Sequence, residues 1–208
     1  MASRPGSSRS RYHHGDLRRA LVVAAREMLT EDGADSPSLR EVARRVGVSN
    51  AAPYRHFDSL DDLLEEVRAE IFRDLADQLE QAAEQAPEDP GERLVALGCR
   101  YVRFVVGRLT ETRLLFSRPK LEAPEDSPAL EAAHRAFGVL TAAVIAAQQA
   151  GTLRDGVAED IALTMWALVH GIAALAAEGQ LGAVTPADLE QLVRSRLEML
   201  LAGLGQRR

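Results

Sequence analysis

The chain of 208 residues carries a formal net charge of −6, and 46% of its residues are hydrophobic although only 4% are aromatic. A core built mainly from aliphatic and alanine side chains favours closely packed helices over a β-sandwich. The single cysteine, Cys99, excludes an internal disulfide and a thiolate metal cluster within one chain, which fits a reducing, cytoplasmic setting.

Charge is unevenly distributed along the sequence. Residues 1–57 contain ten arginines and six acidic residues, a net charge of +4, which leaves −10 for residues 58–208. A basic end on an acidic body indicates a polyanionic partner for that end. The first segment, 1–14, is rich in Ser and Arg and lacks the apolar stretch of a signal peptide, so we expect a disordered basic arm.

Residues 15–58 are predicted to form three helices. Apolar residues recur on one helix face over 16–31. Ser38 and Glu41 form the capping-box pattern of a short helix over 39–46, which ends at Gly47, and Ser49 is the expected cap of a third helix over 50–56. Two short helices joined by a glycine-containing turn are typical of a helix-turn-helix, whose second helix reads the major groove of DNA.

The third helix carries the residue types that contact DNA. An Asn such as Asn50 can bond adenine, Ala51 can pack on a thymine methyl group, and Tyr54 and Arg55 can bind phosphate. Pro53 lacks an amide hydrogen and is expected to disturb the first turn. The alternative is a purely structural pair of helices. The full set of predicted DNA contacts is Arg11, Ser38, Arg44, Arg45, Ser49, Asn50, Ala51, Tyr54, Arg55 and His56.

Residues 59–208 predict six more helices, over 59–83, 91–109, 111–116, 129–150, 158–178 and 185–204. The uncharged stretch 161–177 is shorter than the roughly 20 apolar residues of a membrane span, and His170 interrupts it, so we expect a buried helix and no membrane partner. The last two helices have wide apolar faces that a monomer would expose. A homodimer would cover these faces and let two reading helices bind a palindrome.

Trp166 and His170 lie four residues apart and share a helix face. They form either one wall of a pocket for a small apolar or amphipathic effector or an ordinary packed core. The predicted ligand-binding residues are Tyr101, Phe104, Phe116, Phe137, Trp166 and His170. The sequence contains no catalytic motif such as HExxH, a P-loop or a nucleophile elbow, so we expect neither an enzyme nor a cofactor.

The motifs LREVARRVGVS (39–49) and PYRHF (53–57), followed by a helix that starts near Ser59, resemble the DNA-binding domain of TetR-family transcriptional regulators. The phrases YHHGDLR (12–18) and MWALVHGIAAL (165–175) resemble the branch of that family with a WHG-type C-terminal domain. Many members carry Lys at the positions of Asn50 and Leu60, so those two phosphate contacts would have to come from elsewhere, for instance from Arg9 and Arg11 in the arm.

The resemblance implies an all-α fold of about nine helices. A three-helix helix-turn-helix domain (15–58) would bind DNA, and a C-terminal bundle (59–208) would bind an effector and dimerise through its last two helices. The function that follows is a homodimeric repressor of a palindromic operator, released by a small apolar or amphipathic effector. The alternative is a haem- or metal-responsive regulator that uses His170.

Overall fold

The computed structural model describes residues 14–32, 37–116 and 127–205. These residues form eight α-helices, one 3-10 helix and no strand, which confirms the predicted all-α class. The chain divides into two compact units, Met1–Val67 and Arg68–Arg208. The helices are α1 (His14–Asp32), α2 (Leu39–Val46), the 3-10 helix (Pro53–Arg55), α3 (Leu60–Gln85), α4 (Pro90–Gly107), α5 (Leu109–Phe116), α6 (Pro128–Gln149), α7 (Ala158–Ala177) and α8 (Pro186–Leu204).

Helix α2 has the limits that its sequence predicts. The Glu41 amide donates to Ser38 Oγ at 3.3 Å and the Ser38 amide donates to Glu41 Oε2 at 2.8 Å, the two bonds of a capping box. At the other end Gly47 has φ +79°, a left-handed conformation that costs a residue with a Cβ about 1–2 kcal/mol. The Val48 amide then donates to the Ala43 carbonyl at 3.0 Å and closes the helix.

The first unit is held together by α1 packed on α2. Leu21 and Ala25 of α1 are fully buried, as are Val42 and Ala43 of α2. Arg18 of α1 pairs with Glu66 of α3 at 2.7 Å. This compact unit therefore includes the first two turns of α3 and ends at Val67. The domain boundary after residue 58 stays a prediction.

The second unit is built around α4, which packs against α6, α7 and α8. Leu94, Leu97 and Val102 of α4 are buried. The approach to α8 is closest at Gly98, where a Cβ would overlap Leu197 Cδ1 and lie 3.1 Å from Val169 Cγ1. The glycine thus lets α4 and α8 come close together at this point.

Helices α6 and α7 are both long and apolar enough to cross a membrane, judged by length and composition alone. Length and composition are weak evidence for a membrane span, since core helices of soluble proteins have the same composition. Only 33% of each apolar window is buried in this chain, however, so both helices leave apolar surface uncovered. Exposed Leu163 and Leu175 lie on that surface of α7.

Candidate functional sites

Residues 49–57, which we call the reading segment, do not form the α-helix over 50–56 that the sequence predicts. A backbone turn from Ala52 N–H to Ser49 O (2.9 Å) leads into the 3-10 helix Pro53–Arg55, which has no side-chain cap. Pro53 has no amide hydrogen, so the α-helical bond from residue 53 to the Ser49 carbonyl cannot form, and Ala52 takes that acceptor instead. The predicted Ser49 cap is therefore replaced by a backbone bond.

The inner side of the reading segment is anchored to the first unit. Pro53 and Phe57 are buried. The Arg18 guanidinium lies 5.0 Å from the centre of the Phe57 ring while it also pairs with Glu66. A cation over an aromatic face is attracted to it electrostatically, so one arginine of α1 holds both the end of the reading segment and the start of α3.

The outer side carries the predicted base-reading residues. Ser49, Asn50, Ala51 and Arg55 are exposed, and Tyr54 is 54% exposed, whereas His56 is half-buried. Neither Arg55 nor Arg44 forms a side-chain hydrogen bond or a close ion pair with a residue in the described part of the chain. Both guanidinium groups are therefore available to an external anion such as a DNA phosphate.

Two other predicted DNA contacts already have partners inside the chain. Arg45 forms a bidentate pair with Glu31 of α1, with both N–O distances at 2.6 Å, and its hydrogen bonds lower the pKa of that carboxyl. The Ser38 hydroxyl donates to Glu41 Oε2 at 2.7 Å and accepts the Glu41 amide. A phosphate contact from either residue would compete with these bonds. Arg11 lies outside the described residues.

Six side chains form a network of ring contacts in the second unit, which we call the ring cluster. It contains five of the six predicted ligand-binding residues and Phe72, which the sequence reasoning missed. Its centre is His170, whose ring lies 4.6 Å from that of Phe116, 5.5 Å from Trp166 and 6.2 Å from Tyr101. The members are Phe72 of α3, Tyr101 of α4, Phe116 of α5, Phe137 of α6, and Trp166 and His170 of α7.

The predicted sixth lining residue, Phe104, has a different environment. Its ring is buried and lies 4.8 Å from the Arg108 guanidinium. It forms none of the ring contacts recorded among the described residues. Phe104 therefore belongs with the packing of α4 near Arg108, and no observation brings it to His170.

One hydrogen bond defines the polar chemistry of the ring cluster. Tyr101 Oη lies 2.8 Å from His170 Nδ1. Burial raises the pKa of Tyr101 and lowers the pKa of His170, so both are neutral near pH 7. The Trp166 side chain also interacts with the Tyr101 hydroxyl, and an indole N–H can only donate. The direction of the bond to Nδ1 depends on the tautomer of His170: a phenol that donates to Nδ1 leaves the imidazole proton on Nε2.

Helix α5 is fixed beside this cluster by buried polar groups. The Nε–H of Arg68 in α3 donates to the Leu114 carbonyl at 3.2 Å, and both Arg68 and Glu111 are buried. Arg108 lies 3.7 Å from Glu111 and 3.3 Å from Asp74. Breaking a buried, hydrogen-bonded charge is costly, so these contacts set the position from which Phe116 reaches His170. No group of three His, Cys, Asp or Glu side chains that could hold a metal ion occurs in the described ranges.

These features define a class of protein before any comparison. A glycine-ended helix, an anchored turn and exposed Asn, Tyr and Arg side chains form a helix-turn-helix DNA-binding unit, here followed by an all-α body. The sequence model described as bacterial regulatory proteins, tetR family, matches residues 21–67. The model described as tetracyclin repressor-like, C-terminal domain, matches residues 94–200.

The chain belongs to the TetR family of DNA-binding transcriptional regulators, whose members are not enzymes. It is 28% identical to the HTH-type transcriptional regulator Rv1816 of Mycobacterium tuberculosis (strain ATCC 25618 / H37Rv), over 89% of this chain and 91% of that one. A solved structure of a protein of unknown function from Rhodococcus sp. RHA1 is 36% identical, with a TM-score of 0.82 over 95% of this chain and 100% of that one. A TetR-family regulator from Mesorhizobium loti MAFF303099 shares the fold, with a TM-score of 0.74 at 20% identity over 94% and 100% of the two chains. Membership of the WHG-type branch stays a prediction.

Proposed function

We propose that the protein is a cytoplasmic homodimeric repressor that binds a palindromic operator and is released by a small apolar or amphipathic effector. The observation that carries this proposal is the reading segment, whose polar side chains are exposed while Pro53 and Phe57 anchor it from behind. Such a segment presents its side chains to the major groove without large rearrangement.

Each exposed side chain has a role that follows from its chemistry. Asn50 pairs with an adenine edge, and Ala51 packs on a thymine methyl group. Arg55 and Tyr54 bind phosphate, with a guanine edge as the other acceptor for Arg55. Arg44 binds the flanking backbone. Arg45 acts differently, because its bidentate pair with Glu31 makes it a positioning residue that fixes α2 against α1.

The exposed apolar faces of α7 and α8 support a dimer. Leu163, Leu175 and Met199 are 50%, 45% and 65% exposed. Between the two leucines, Ala167 and Gly171 follow at intervals of four residues, and a Cβ added to Gly171 would have no neighbour within 4 Å among the described residues outside its own helix. Packing inside the protomer therefore gives no reason for that glycine. We assign it to the close approach of a second copy in a four-helix interface of α7 and α8 from both protomers.

The ring cluster is the proposed effector site. Its imidazole and indole are half-buried, and Phe116 is 39% exposed, so the rings are not sealed in the core. Apolar walls with a few convergent polar groups are the usual composition of a small-molecule site. The effector must bind the conformation that releases DNA more tightly than the conformation that binds it.

The decisive experiment selects bound duplexes from a random DNA pool with the purified protein. We expect an enriched two-fold palindrome whose enrichment is lost in Arg55→Ala and in Tyr54→Ala. The matched control is Arg154→Ala, since Arg154 is an exposed arginine of the second unit, and it should select the same sequence as the wild type. No enriched sequence at low salt would overturn the proposal, and an enriched sequence without two-fold symmetry would overturn its dimeric part.

A further inference from the structure

We propose that the effector is an uncharged, planar compound with a carbonyl-type acceptor oxygen, and that the Nε2–H group of His170 binds this oxygen. The inference rests on the proposed function, because it takes the ring cluster as the effector site and names the ligand chemistry that the site would select. Four features of the cluster support it: a donor without a protein partner, uncharged walls, a concentration of rings and an exposed phenylalanine beside the imidazole.

The donor is the part of His170 that the protein does not use. Tyr101 Oη lies 2.8 Å from Nδ1, and we assign the phenol as the donor of this bond, which puts the imidazole proton on Nε2. Within the described ranges, His170 Nε2 has no hydrogen-bond partner. A half-buried N–H group without a protein partner gains free energy from an acceptor that reaches it, and carbonyl oxygens are good acceptors for such a group.

The walls select against charge. The six members of the ring cluster carry no formal charge at neutral pH, since burial keeps Tyr101 protonated and His170 neutral. An ionised ligand would lose hydration against these rings without compensation from them. A flat ligand, in contrast, would gain stacking contact, because aromatic rings pair favourably at centroid separations of about 4.5–7 Å.

The concentration of rings at this one place supports a planar ligand. The chain has only nine aromatic residues, and five of them belong to the ring cluster. The Trp166 and His170 rings are inclined by only 34°, whereas the other pairs meet edge to face at 60° or more. Trp166 and His170 therefore offer the most nearly continuous flat surface in the cluster.

Phe116 is the side chain that a ligand would displace. Its ring lies 4.6 Å from the imidazole, and with 39% exposure it is the most exposed member of the ring cluster. The same ring meets Phe72 of α3 edge-on at 6.5 Å. A planar ligand stacked on His170 would take the place of Phe116 and break its contact with Phe72, which links occupancy of the site to α3.

Three naphthalene probes of one shape test the ligand class by calorimetric titration. They are 2-acetylnaphthalene with an acceptor oxygen, 2-ethylnaphthalene without one and 2-naphthoate with a negative charge. We expect the ketone to bind about fivefold to tenfold more tightly than the ethyl compound, which is the contribution of one hydrogen bond, and the carboxylate to bind most weakly. Equal binding of ketone and ethyl compound, or preferred binding of the carboxylate, would overturn the inference.

Two variants locate the preference. His170→Phe keeps a ring and loses both nitrogens, so it should bind the ketone and the ethyl compound equally. Tyr101→Phe removes the hydrogen bond to Nδ1, so the proton of His170 is no longer held on Nε2. The ratio of the ketone affinity to the affinity of the ethyl compound should therefore fall, while the ethyl compound still binds. The tautomer is read directly from two-bond ¹H–¹⁵N spectra of the histidines, with the His170 signals identified by their loss in His170→Phe. Tyr54→Phe, the same change in the first unit, should leave the ratio and the spectra unaltered.

The ratio of the two affinities is insensitive to a partial loss of folded protein, so a destabilised variant remains informative. A His170 that is protonated on Nδ1, or a preference that survives in His170→Phe, would refute the role of Nε2–H. A protein that selects a palindrome but shows no ketone preference would overturn the ligand class and leave the proposed repressor standing. A protein that prefers the ketone but selects no DNA sequence would overturn the proposed repressor and leave the ligand class standing.

Discussion

The substitution Gly98→Ala tests the packing of α4 most directly. The added methyl group would overlap Leu197 Cδ1 and lie 3.1 Å from Val169 Cγ1. Leu197 is fully buried and Val169 nearly so, which leaves neither side chain space to retreat. Overpacking of this kind costs about 1–3 kcal/mol, and the higher helix propensity of Ala returns about 1 kcal/mol. Because both neighbours are confined, we expect a net loss of about 1–2 kcal/mol.

The measurement is urea unfolding followed by circular dichroism at one fixed protomer concentration. Gly138→Ala is the matched control, since Gly138 is exposed in α6 and its added Cβ would have no neighbour within 4 Å in the part of the chain that the structure describes. That variant should gain about 0.5–1 kcal/mol from propensity. The same change from Gly to Ala is thus expected to lower the free energy of unfolding at position 98 and to raise it at position 138.

A double-mutant cycle with Leu197→Ala identifies the contact. Leu197→Ala alone should cost about 2–5 kcal/mol because it opens a cavity. In the double variant the methyl group added at position 98 enters that cavity, so the loss should be smaller than the sum of the single losses. If Gly98→Ala instead stabilised the protein as Gly138→Ala does, the close approach of α4 to α8 would be refuted.

Four further outcomes test the first unit and the dimer. Arg55→Ala should weaken operator binding and reduce the slope of log affinity against log salt concentration by about one. Arg45→Ala should leave this slope unchanged. An equal reduction of the slope in both variants would mean that Arg45 also contacts a phosphate. The lowered pKa of Glu31 means that its pair with Arg45 stabilises the fold above the ordinary carboxyl pKa and that this advantage over Arg45→Ala disappears as the pH falls through the lowered value. An advantage that persists in acid, measured by urea unfolding across pH, would contradict this assignment. Gly171→Leu should raise the monomer fraction in sedimentation velocity, and Gly138→Leu should not.

Local signals in the sequence predicted local structure well. The limits of α2 follow from Ser38, Glu41 and Gly47, each of which acts within one helical turn of the boundary that it sets. The reading segment was predicted with the wrong helix type because the rules for caps favour Ser49, while the missing amide hydrogen of Pro53 decides the outcome. A single absent donor outweighed several favourable propensities there.

Capping and periodicity rules do not predict contacts between residues that are distant in the sequence. Trp166 and His170 were paired correctly from their spacing of four on one helix, but Phe72 reaches the ring cluster from α3 and no periodicity connects it to α7. The pair of Arg45 with Glu31 spans 14 residues. The pair of Arg18 with Glu66, which joins α1 to α3, spans 48 residues.

The only tryptophan of the chain, Trp166, lies inside the ring cluster. Its emission spectrum, excited at wavelengths where tyrosine does not absorb, therefore reports on the second unit and on that cluster alone. Circular dichroism, in contrast, records the helices of both units. If the first unit melts before the second, the ellipticity will fall in two steps and the emission will change only in the later one. The protein thus carries an internal optical label that separates the stability of its DNA-reading unit from that of its body without any added dye.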